Sequence, residues 1–376
     1  MGQHRGVELD AVRLDGPRLT LRAWRRTDAD QVAAIMADPT MHEFLALPDP
    51  YTIDDARHFI REVGIRGRAD GRALHNAVIE RSSGRLVGSA TLHLAGDPEI
   101  GYWVAPAARG NGYAAEATRL LAGWAFGAGL RRVRLLCDVR NLASARTALA
   151  AGFRFEGVAR DGVAGGGIGA VPERRADLAM FARVAGDPPG PIAPAFAALP
   201  PSGLSDDVLQ LREIRPEDAP ALTETDDELS LRWSFTGEAH TPAEAVRDAA
   251  HAGLNWLVGT VAPFTMVDLA TGRFAGEVRL RKAGPPQVGG IGYVVHPAFR
   301  GRGYTARALR LLVPWAFETA DFARLELGAK EGNAASLRAA ARAGFEPDGV
   351  RERRLRNPDG TFADETRYVL INPKYR

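Results

Sequence analysis

Arg109–Phe126 reads RGNGYAAEATRLLAGWAF, and Arg300–Phe317 reads RGRGYTARALRLLVPWAF. Each stretch is a glycine-bearing turn running into an amphipathic helix; in the first copy Ala114, Ala117, Leu121, Trp124 and Ala125 recur on one stripe. The correspondence extends outward. Upstream, Gly101, Tyr102, Val104 and Pro106 pair with Gly292, Tyr293, Val295 and Pro297. Downstream, Asn141 and Ser144 pair with Asn333 and Ser336, and Ala151-Gly152-Phe153 with Ala343-Gly344-Phe345. Near the start of each half, Leu19-Thr-Leu-Arg22 matches Leu209-Gln-Leu-Arg212. A period of half the chain is far longer than a solenoid repeat, so this is a duplicated domain. The stretch 186–204 is rich in Pro, Gly and Ala and reads as an extended linker rather than a packed element. The expected organisation is a domain over 1–185, the linker, and a second domain over 205–376.

Within the first half, residues 18–22 alternate as a strand, and a helix is expected over 28–36 with Thr27 or Asp28 at its N-cap. A second helix is expected over 52–63. Strands follow at 77–80 and 86–94 around a turn at Ser83-Gly84, then at 99–104, where Pro106 ends the pairing. After the signature helix come a strand over 133–139 and a helix opened by Asn141 and closed by Gly152. The last strands start at Phe153 and run over 177–184. This order is α+β, a mixed central sheet with helices on both faces, made twice. Pro314, inside the second signature helix, predicts a kink.

At 376 residues the chain suits two domains. The formal charge is +2 with acids interspersed, so no basic face argues for a nucleic-acid partner. Cys137 is the single cysteine; no disulfide framework is available within the chain, which fits a reducing compartment. The first ten residues carry charges without an apolar core, and no stretch has the apolar length of a membrane span. We therefore expect a cytoplasmic protein with no membrane partner. The eight histidines show no metal-ligand spacing, and no metal is expected.

Gly110 and Gly112 allow positive φ and close approach to a ligand. The helix behind them starts with unpaired N–H groups and the positive end of its dipole, an anion site suited to a pyrophosphate. No Lys-Ser/Thr follows the glycines, so this is not a triphosphate loop, and no G-x-G-x-x-G follows a strand. The glycine run 165–169 resembles a phosphate loop only superficially and reads as a flexible loop near an acceptor site. Arg131, Arg132 and Arg134 read as a solvated strand edge or as contacts to a ligand phosphate.

The R-x-x-G-x-A of Arg109–Ala114, preceded by Glu99-Ile-Gly-Tyr-Trp-Val104 and followed by Asn141-x-x-Ser144 and Ala-Gly-Phe, resembles the coenzyme A signature of the GNAT N-acetyltransferase superfamily, RimJ/RimL-type branch. The likeness covers most of both halves. It implies two GNAT-like domains and transfer of acetyl from acetyl-CoA to a primary amine, on a small molecule or a protein N-terminus, by direct attack in a ternary complex. It implies cofactor contacts from Val104, Arg109, Gly110, Asn111, Gly112, Tyr113, Ala114 and Asn141. In the second half the matching positions are Val295, Arg300, Gly301, Arg302, Gly303, Tyr304, Thr305 and Asn333.

The same resemblance makes a main-chain N–H near Val104 the group that polarises the thioester carbonyl. An amine is mostly protonated at neutral pH, so a proton must be removed before attack. Glu99, the acid nearest the signature, is the expected general base, acting through water; Ser144, and Ser336 in the second half, would protonate the leaving thiolate. The ordinary alternatives are a solvated strand residue for Glu99 and a first-turn helix serine for Ser144. Cys137 lies in an apolar strand and reads as packing. The second half departs from the pattern: Gly290 stands for Glu99 and Thr305 for Ala114. Chemistry is thus expected in the first half and cofactor binding in both. Two other classes fit the same residues: an acyl-CoA-binding pseudoenzyme or sensor, and an acyl or aminoacyl transferase fed by a carrier such as charged tRNA. Segments 39–60 and 229–250 face the acceptor and differ between halves, so the two pockets are not equivalent. A homodimer is left open.

Overall fold

The computed structural model describes residues 9, 12–163, 175–357 and 359–375. The chain divides into two compact units, Met1–Ala193 and Pro194–Arg376.

In the first unit the strands are β1 (Leu14–Asp15), β2 (Leu19–Arg22), β3 (Ala73–Glu80), β4 (Leu86–His93), β5 (Glu99–Val104), β6 (Arg132–Asp138), β7 (Arg154–Val163) and β8 (Arg175–Val184). They form one sheet in the order β1-β2-β3-β4-β5-β6-β8-β7. Neighbours are antiparallel except β5 and β6, which are parallel. A parallel pair needs a crossover, and here it is α4 (Tyr113–Gly127), the signature helix. The other helices are α1 (Ala29–Met36), α2 (Ile53–His58), α3 (Gly67–Ala69) and α5 (Leu142–Ala150). A π-helical stretch, Phe59–Arg66, joins α2 to α3, so the helix expected over 52–63 runs longer.

Strand residues alternate between faces. On one face Trp103 of β5 packs with Trp24, Val32 and Met36 of the α1 side and with Phe59 and Ile60. Tyr102 and Val104 lie on the other face, with α4, which buries Ala117, Leu121, Ala122 and Ala125; Trp124 is only half-buried. Asp28 lies just ahead of α1. It takes a two-point ion pair from Arg22 (2.8 Å each) and accepts from the Arg25 N–H.

The second unit repeats the plan. Its strands are β9 (Leu204–Ser205), β10 (Leu209–Glu213), β11 (Val261–Asp268), β12 (Phe274–Lys282), β13 (Val288–Val295), β14 (Arg324–Lys330), β15 (Glu346–Arg356) and β16 (Phe362–Ile371). The order is β15-β16-β14-β13-β12-β11-β10-β9, with β13 and β14 parallel. The helices are α6 (Ala219–Glu224), α7 (Glu228–Trp233), α8 (Pro242–Val258), α9 (Tyr304–Glu318) and α10 (Ala334–Arg342). Leu309, Leu312 and Trp315 of α9 pack on Leu209 and Phe264; Ala245, Ala249 and Ala252 of α8 pack with Ile214 and Leu222. Arg212 and Asp218 repeat the Arg22–Asp28 pair. Helix α9 runs unbroken through Pro314, so the expected kink does not interrupt it.

The segment between the sheets has no helix or regular strand before Leu204, yet it is not a free tether. Ile192 N–H donates to Leu149 O at 2.9 Å within the first unit. Within the second, Ala195 N–H donates to Leu257 O, Phe196 is 3% exposed, and the Trp256 and Trp315 indoles donate to Ala197 O and Ala198 O. A broad-specificity protease in limiting amounts is expected to cut first within 186–204 and leave two resistant fragments matching the two units. Rapid loss of either fragment would show that neither half folds alone.

Candidate active site

The two sequence signatures sit where each sheet comes apart. In the first unit β5 and β6 pair only at Glu99↔Arg134, while β6 stays on β8 along its whole length. Beyond Glu99 the strands diverge. Arg134 N–H donates to Pro98 O, and Ala105 N–H donates to Val87 O on the β4 side. Backbone groups alternate in direction along a strand. The main-chain groups of Tyr102 and Val104 therefore point into the gap. In the second unit the parallel pairing ends at Ile291↔Leu327, and His296 N–H donates to Ala275 O, so Tyr293 and Val295 occupy the equivalent edge.

The turn past each strand adopts the backbone its glycines were expected to allow. Gly110 and Gly112 have φ of 78° and 71°, and Gly301 and Gly303 have 77° and 76°. Gly112 is the left-handed N-cap of α4. The first helical N–H to find a partner is that of Glu116, on Gly112 O at 3.1 Å; Arg307 does the same on Gly303 O. The N–H groups ahead of them are the unpaired donors of a helix start. A Cβ on Gly110 would meet nothing within 4 Å, so the turn is open to a ligand. Beside the turn, Gly88, Ser89, Tyr102, Val104, Tyr113 and Ala114 line a shallow depression on the sheet. These residues fit a pyrophosphate with an extended arm behind it.

Other side chains at the turn do structural work. Asn111 Nδ2 donates to Ala108 O and Arg109 O, bracing the loop. The Tyr113 hydroxyl donates to Glu80, and that of Tyr304 to Asp268. Arg302 lies over the Phe299 ring at 5.0 Å. The leading arginines turn away from the glycines. Arg109 donates to Thr40 Oγ1 at 3.0 Å, a neutral partner. Arg300 is held by both oxygens of Asp227 at 2.6 Å and by Ser230 Oγ, and this pairing holds the Asp227 carboxyl well below its usual range.

The far side of the gap is closed by a hydrogen bond in each unit. The Tyr102 hydroxyl meets Ser144 Oγ at 2.8 Å, and Tyr293 meets Ser336 Oγ at 2.7 Å. Burial pushes the Tyr102 hydroxyl above its ordinary pKa and the Cys137 thiol up to about 12, so Cys137 stays a thiol. Asn141 Oδ1 accepts from Ser144 N–H at 3.0 Å and Asn333 Oδ1 from Ser336 N–H at 3.2 Å; each caps its helix. Ala114 and Thr305 both lie in the first turn of their helices, and Thr305 is half-buried.

Glu99 stands at the point of divergence, its side chain 17% exposed, and one oxygen accepts from Arg134 Nε at 3.0 Å. The solvated strand residue offered as its ordinary alternative does not describe it. Arg132 pairs with both oxygens of Glu156. These arginines sit at the start of β6, at the opposite end of the strand pair from the glycine turn, so they do not meet a phosphate there. The run 165–169 lies outside the described residues. Among the described residues no group of His, Cys, Asp and Glu side chains could hold a metal ion, and no helix is long and apolar enough to cross a membrane.

Sequence reasoning missed Glu116. It is 4% exposed and accepts from the N–H groups of Arg18 and Leu19 and from Arg18 Nε. Burial pushes its carboxyl up, but these donors outweigh that and hold it below the usual range. Arg18 also donates to Asn111 O at 2.7 Å, tying the glycine turn to β2. The repeat held the signal: Arg307 replaces Glu116, and Asp206, where the first half has Gly16, receives it at 2.8 Å. A Cβ on Gly16 would fall 2.8 Å from Glu116 Oε1, so acid and glycine exchange together.

A family model described as an acetyltransferase (GNAT) domain matches residues 18–154 and again 209–346. The chain is 30% identical over 117 residues to a Bacillus subtilis protein named "Probable N-acetyltransferase YjcK", a match spanning 31% of this chain and 56% of that protein's length. It is 26% identical over 149 residues to "Uncharacterized N-acetyltransferase p20" of Bacillus licheniformis, covering 38% of this chain and 83% of that one. Among solved structures, Mycobacterium smegmatis RimJ in complex with CoA-disulfide is similar at 22% identity and a TM-score of 0.42, covering 49% of this chain and 91% of that chain. With both signatures, both split sheets and a family match over most of its length, the chain belongs to the GNAT acetyltransferase family, with one domain of that family in each half.

Proposed function

We propose that this protein is an acetyl-CoA-dependent N-acetyltransferase whose first unit carries the chemistry and acts on a primary amine. The observation that carries the reading is that in that unit the free β5 edge runs from Glu99, at the mouth of the gap, to Val104 N–H and the open glycine turn at its other end.

The N–H groups of 110–115, at the positive end of α4, hold the pyrophosphate. The edge of β5 takes the pantetheine arm, and Val104 N–H donates to the thioester carbonyl oxygen, where charge grows during attack. Asn141 keeps its amide NH2 for the arm, since its oxygen is used in the cap. Glu99 supplies negative charge where the ammonium of the acceptor enters and loses a proton. Ser144, polarised by Tyr102, passes a proton to the leaving sulfur.

The second unit keeps the turn, the Val295 edge and the Tyr293–Ser336 contact. It lacks the acid, and Arg300 is locked in a two-point ion pair with Asp227, whereas Arg109 bonds Thr40 and has the Asp38 carboxylate only nearby. We assign it coenzyme A binding of lower affinity. The acceptor is a small-molecule amine or a peptide N-terminus.

Calorimetric titration of coenzyme A into the intact chain tests the reading. Saturable binding is expected, with a stronger site that survives the loss of the second unit's glycine turn (Gly303→Val). No binding at all would sink the assignment.

A further inference from the structure

The Glu99 corner holds a second ionisable group that neither signature contains. His93, the last residue of β4, lies directly opposite Glu99 in the antiparallel register and on the same face of the sheet. Its neighbour across the other side of β4 is β3, where the His75 ring stands edge-on to the His93 ring at 5.6 Å. His75 is buried, and its Nδ1 is engaged with Thr91 Oγ1 at 3.1 Å. His93 is half-buried, and among the described residues no hydrogen-bond partner meets either of its ring nitrogens. Beside this pair, buried Thr91 faces Gly101, and a Cβ on Gly101 would meet nothing within 4 Å, which leaves space there. An unpartnered imidazole therefore borders open space at the point where β5 and β6 part.

Glu99, by contrast, already gives one oxygen to Arg134. Arg134 is also 3.5 Å from Asp97. The ionisable groups around His93 are thus Glu99 on β5, Arg134 on β6, Asp97 in the preceding loop, and His75, Arg72 and Arg68 on the β3 side. Burial lowers the His93 pKa, with Glu99 acting in the opposite direction, so the ring is neutral at physiological pH and able to accept a proton. The second unit offers no such group: Arg281 faces Gly290 and Arg279 faces Gly292 at the matching places, and a guanidinium accepts no proton.

We propose that His93 is the catalytic residue that takes the proton from the acceptor ammonium, and that Glu99, braced by Arg134, is a positioning residue that stabilises the imidazolium so formed. This deepens the N-acetyltransferase reading and rests on it. The ammonium passes one N–H proton through intervening water to a ring nitrogen of His93, which lies about five strand residues along the sheet from Val104. The freed lone pair forms the C–N bond at the thioester carbonyl carbon. The C–S bond then breaks with its electron pair on sulfur, and a second N–H proton passes through Ser144 to that sulfur. His93 returns its proton to solvent, and no other reactant is needed.

The test compares wild type, His93→Gln and Glu99→Gln as full chains. Coenzyme A binding and thermal unfolding are recorded for each, with thiol release from acetyl-CoA between about pH 5 and 9, the span in which histidine titrates. The acceptors are an alanine-initiated peptide and a short alkyl diamine. The His93 imidazole signal, identified by its absence in His93→Gln, is titrated by NMR. The expected result is unchanged coenzyme A binding in all three and a loss of roughly 100-fold or more in His93→Gln. That variant should also lack the acidic limb of the pH profile. Because Glu99 raises the His93 pKa, Glu99→Gln should move the imidazole titration and the acidic limb to lower pH, a displacement that mere support of the fold would not cause. If His93→Gln binds coenzyme A and keeps the wild-type rate at every pH, or if the imidazole titration is unmoved in Glu99→Gln, this inference is overturned alone. If the wild-type chain binds no coenzyme A, the functional reading falls and takes this inference with it.

Discussion

Gly112→Val is expected to remove coenzyme A binding from the first unit while leaving the chain folded. Gly112 has a φ of 71° as the N-cap of α4. For a β-branched residue that conformation is an outlier, costing about 1–3 kcal/mol where it is enforced at all. The surroundings do not forbid the side chain: within 4 Å a Cβ there would meet only the end of Arg18, at 3.7 Å. The substitution therefore spares the core. What it disturbs is the direction of the helix-start N–H groups, and its methyls crowd the open side of the turn. Losing two or three charge-assisted hydrogen bonds at about 1.5–3 kcal/mol each corresponds to at least a 100-fold weaker affinity. Calorimetry measures that loss, and thermal unfolding should show a change of only a few degrees, in the range of about 1–3 kcal/mol of strain. Gly303→Val is the matched change and should affect only the weaker site. Undiminished binding in Gly112→Val would mean that the N–H cradle is not the phosphate site.

Glu99→Gln should lower the acetyl-transfer rate by up to about 10²-fold, because it removes the charge that stabilises the protonated base and leaves the base itself in place. The amide keeps the shape and can still accept from Arg134, but carries no charge. Coenzyme A affinity should hardly change, since Glu99 lies at the other end of β5 from the turn. Raising the pH should restore part of the rate, because more of the amine arrives already deprotonated. Ser336→Ala, in the second unit, is the control and should barely alter turnover. If Glu99→Gln keeps full rate while Ser336→Ala loses it, the chemistry belongs to the second unit.

Features set by neighbouring residues were legible in the chain. The strand over 99–104 appears with those bounds, the positive φ values fall on the expected glycines, and Asn141 caps α5 three residues ahead of Ser144. Each of these follows from local geometry. The π-helical run was less so: Gly64 packs so tightly on Trp24 that a Cβ there would fall 2.7 Å from Cδ1, a contact between distant elements. The same holds for the site. Glu99 could be singled out from the motif, but its bond to Arg134, its position across from His93 and the Tyr102–Ser144 contact depend on strand register and on the crossover. Arg109 and Arg300 hold the same place in the signature. They part ways because Arg109 bonds Thr40 and Met41 while Arg300 meets a carboxylate directly, at Asp227.

The central claim is that the first unit transfers acetyl from acetyl-CoA to an amine. Its most direct test is to incubate the intact chain with acetyl-CoA carrying a labelled acetyl group and a mixed panel of primary amines and N-terminal peptides. Labelled amide and free coenzyme A thiol are followed in the same tube. Wild type and Gly303→Val should yield both in equal amounts, and Gly112→Val should yield neither. Label that never reaches an amine, or transfer that survives Gly112→Val and is lost in Gly303→Val, would contradict the claim.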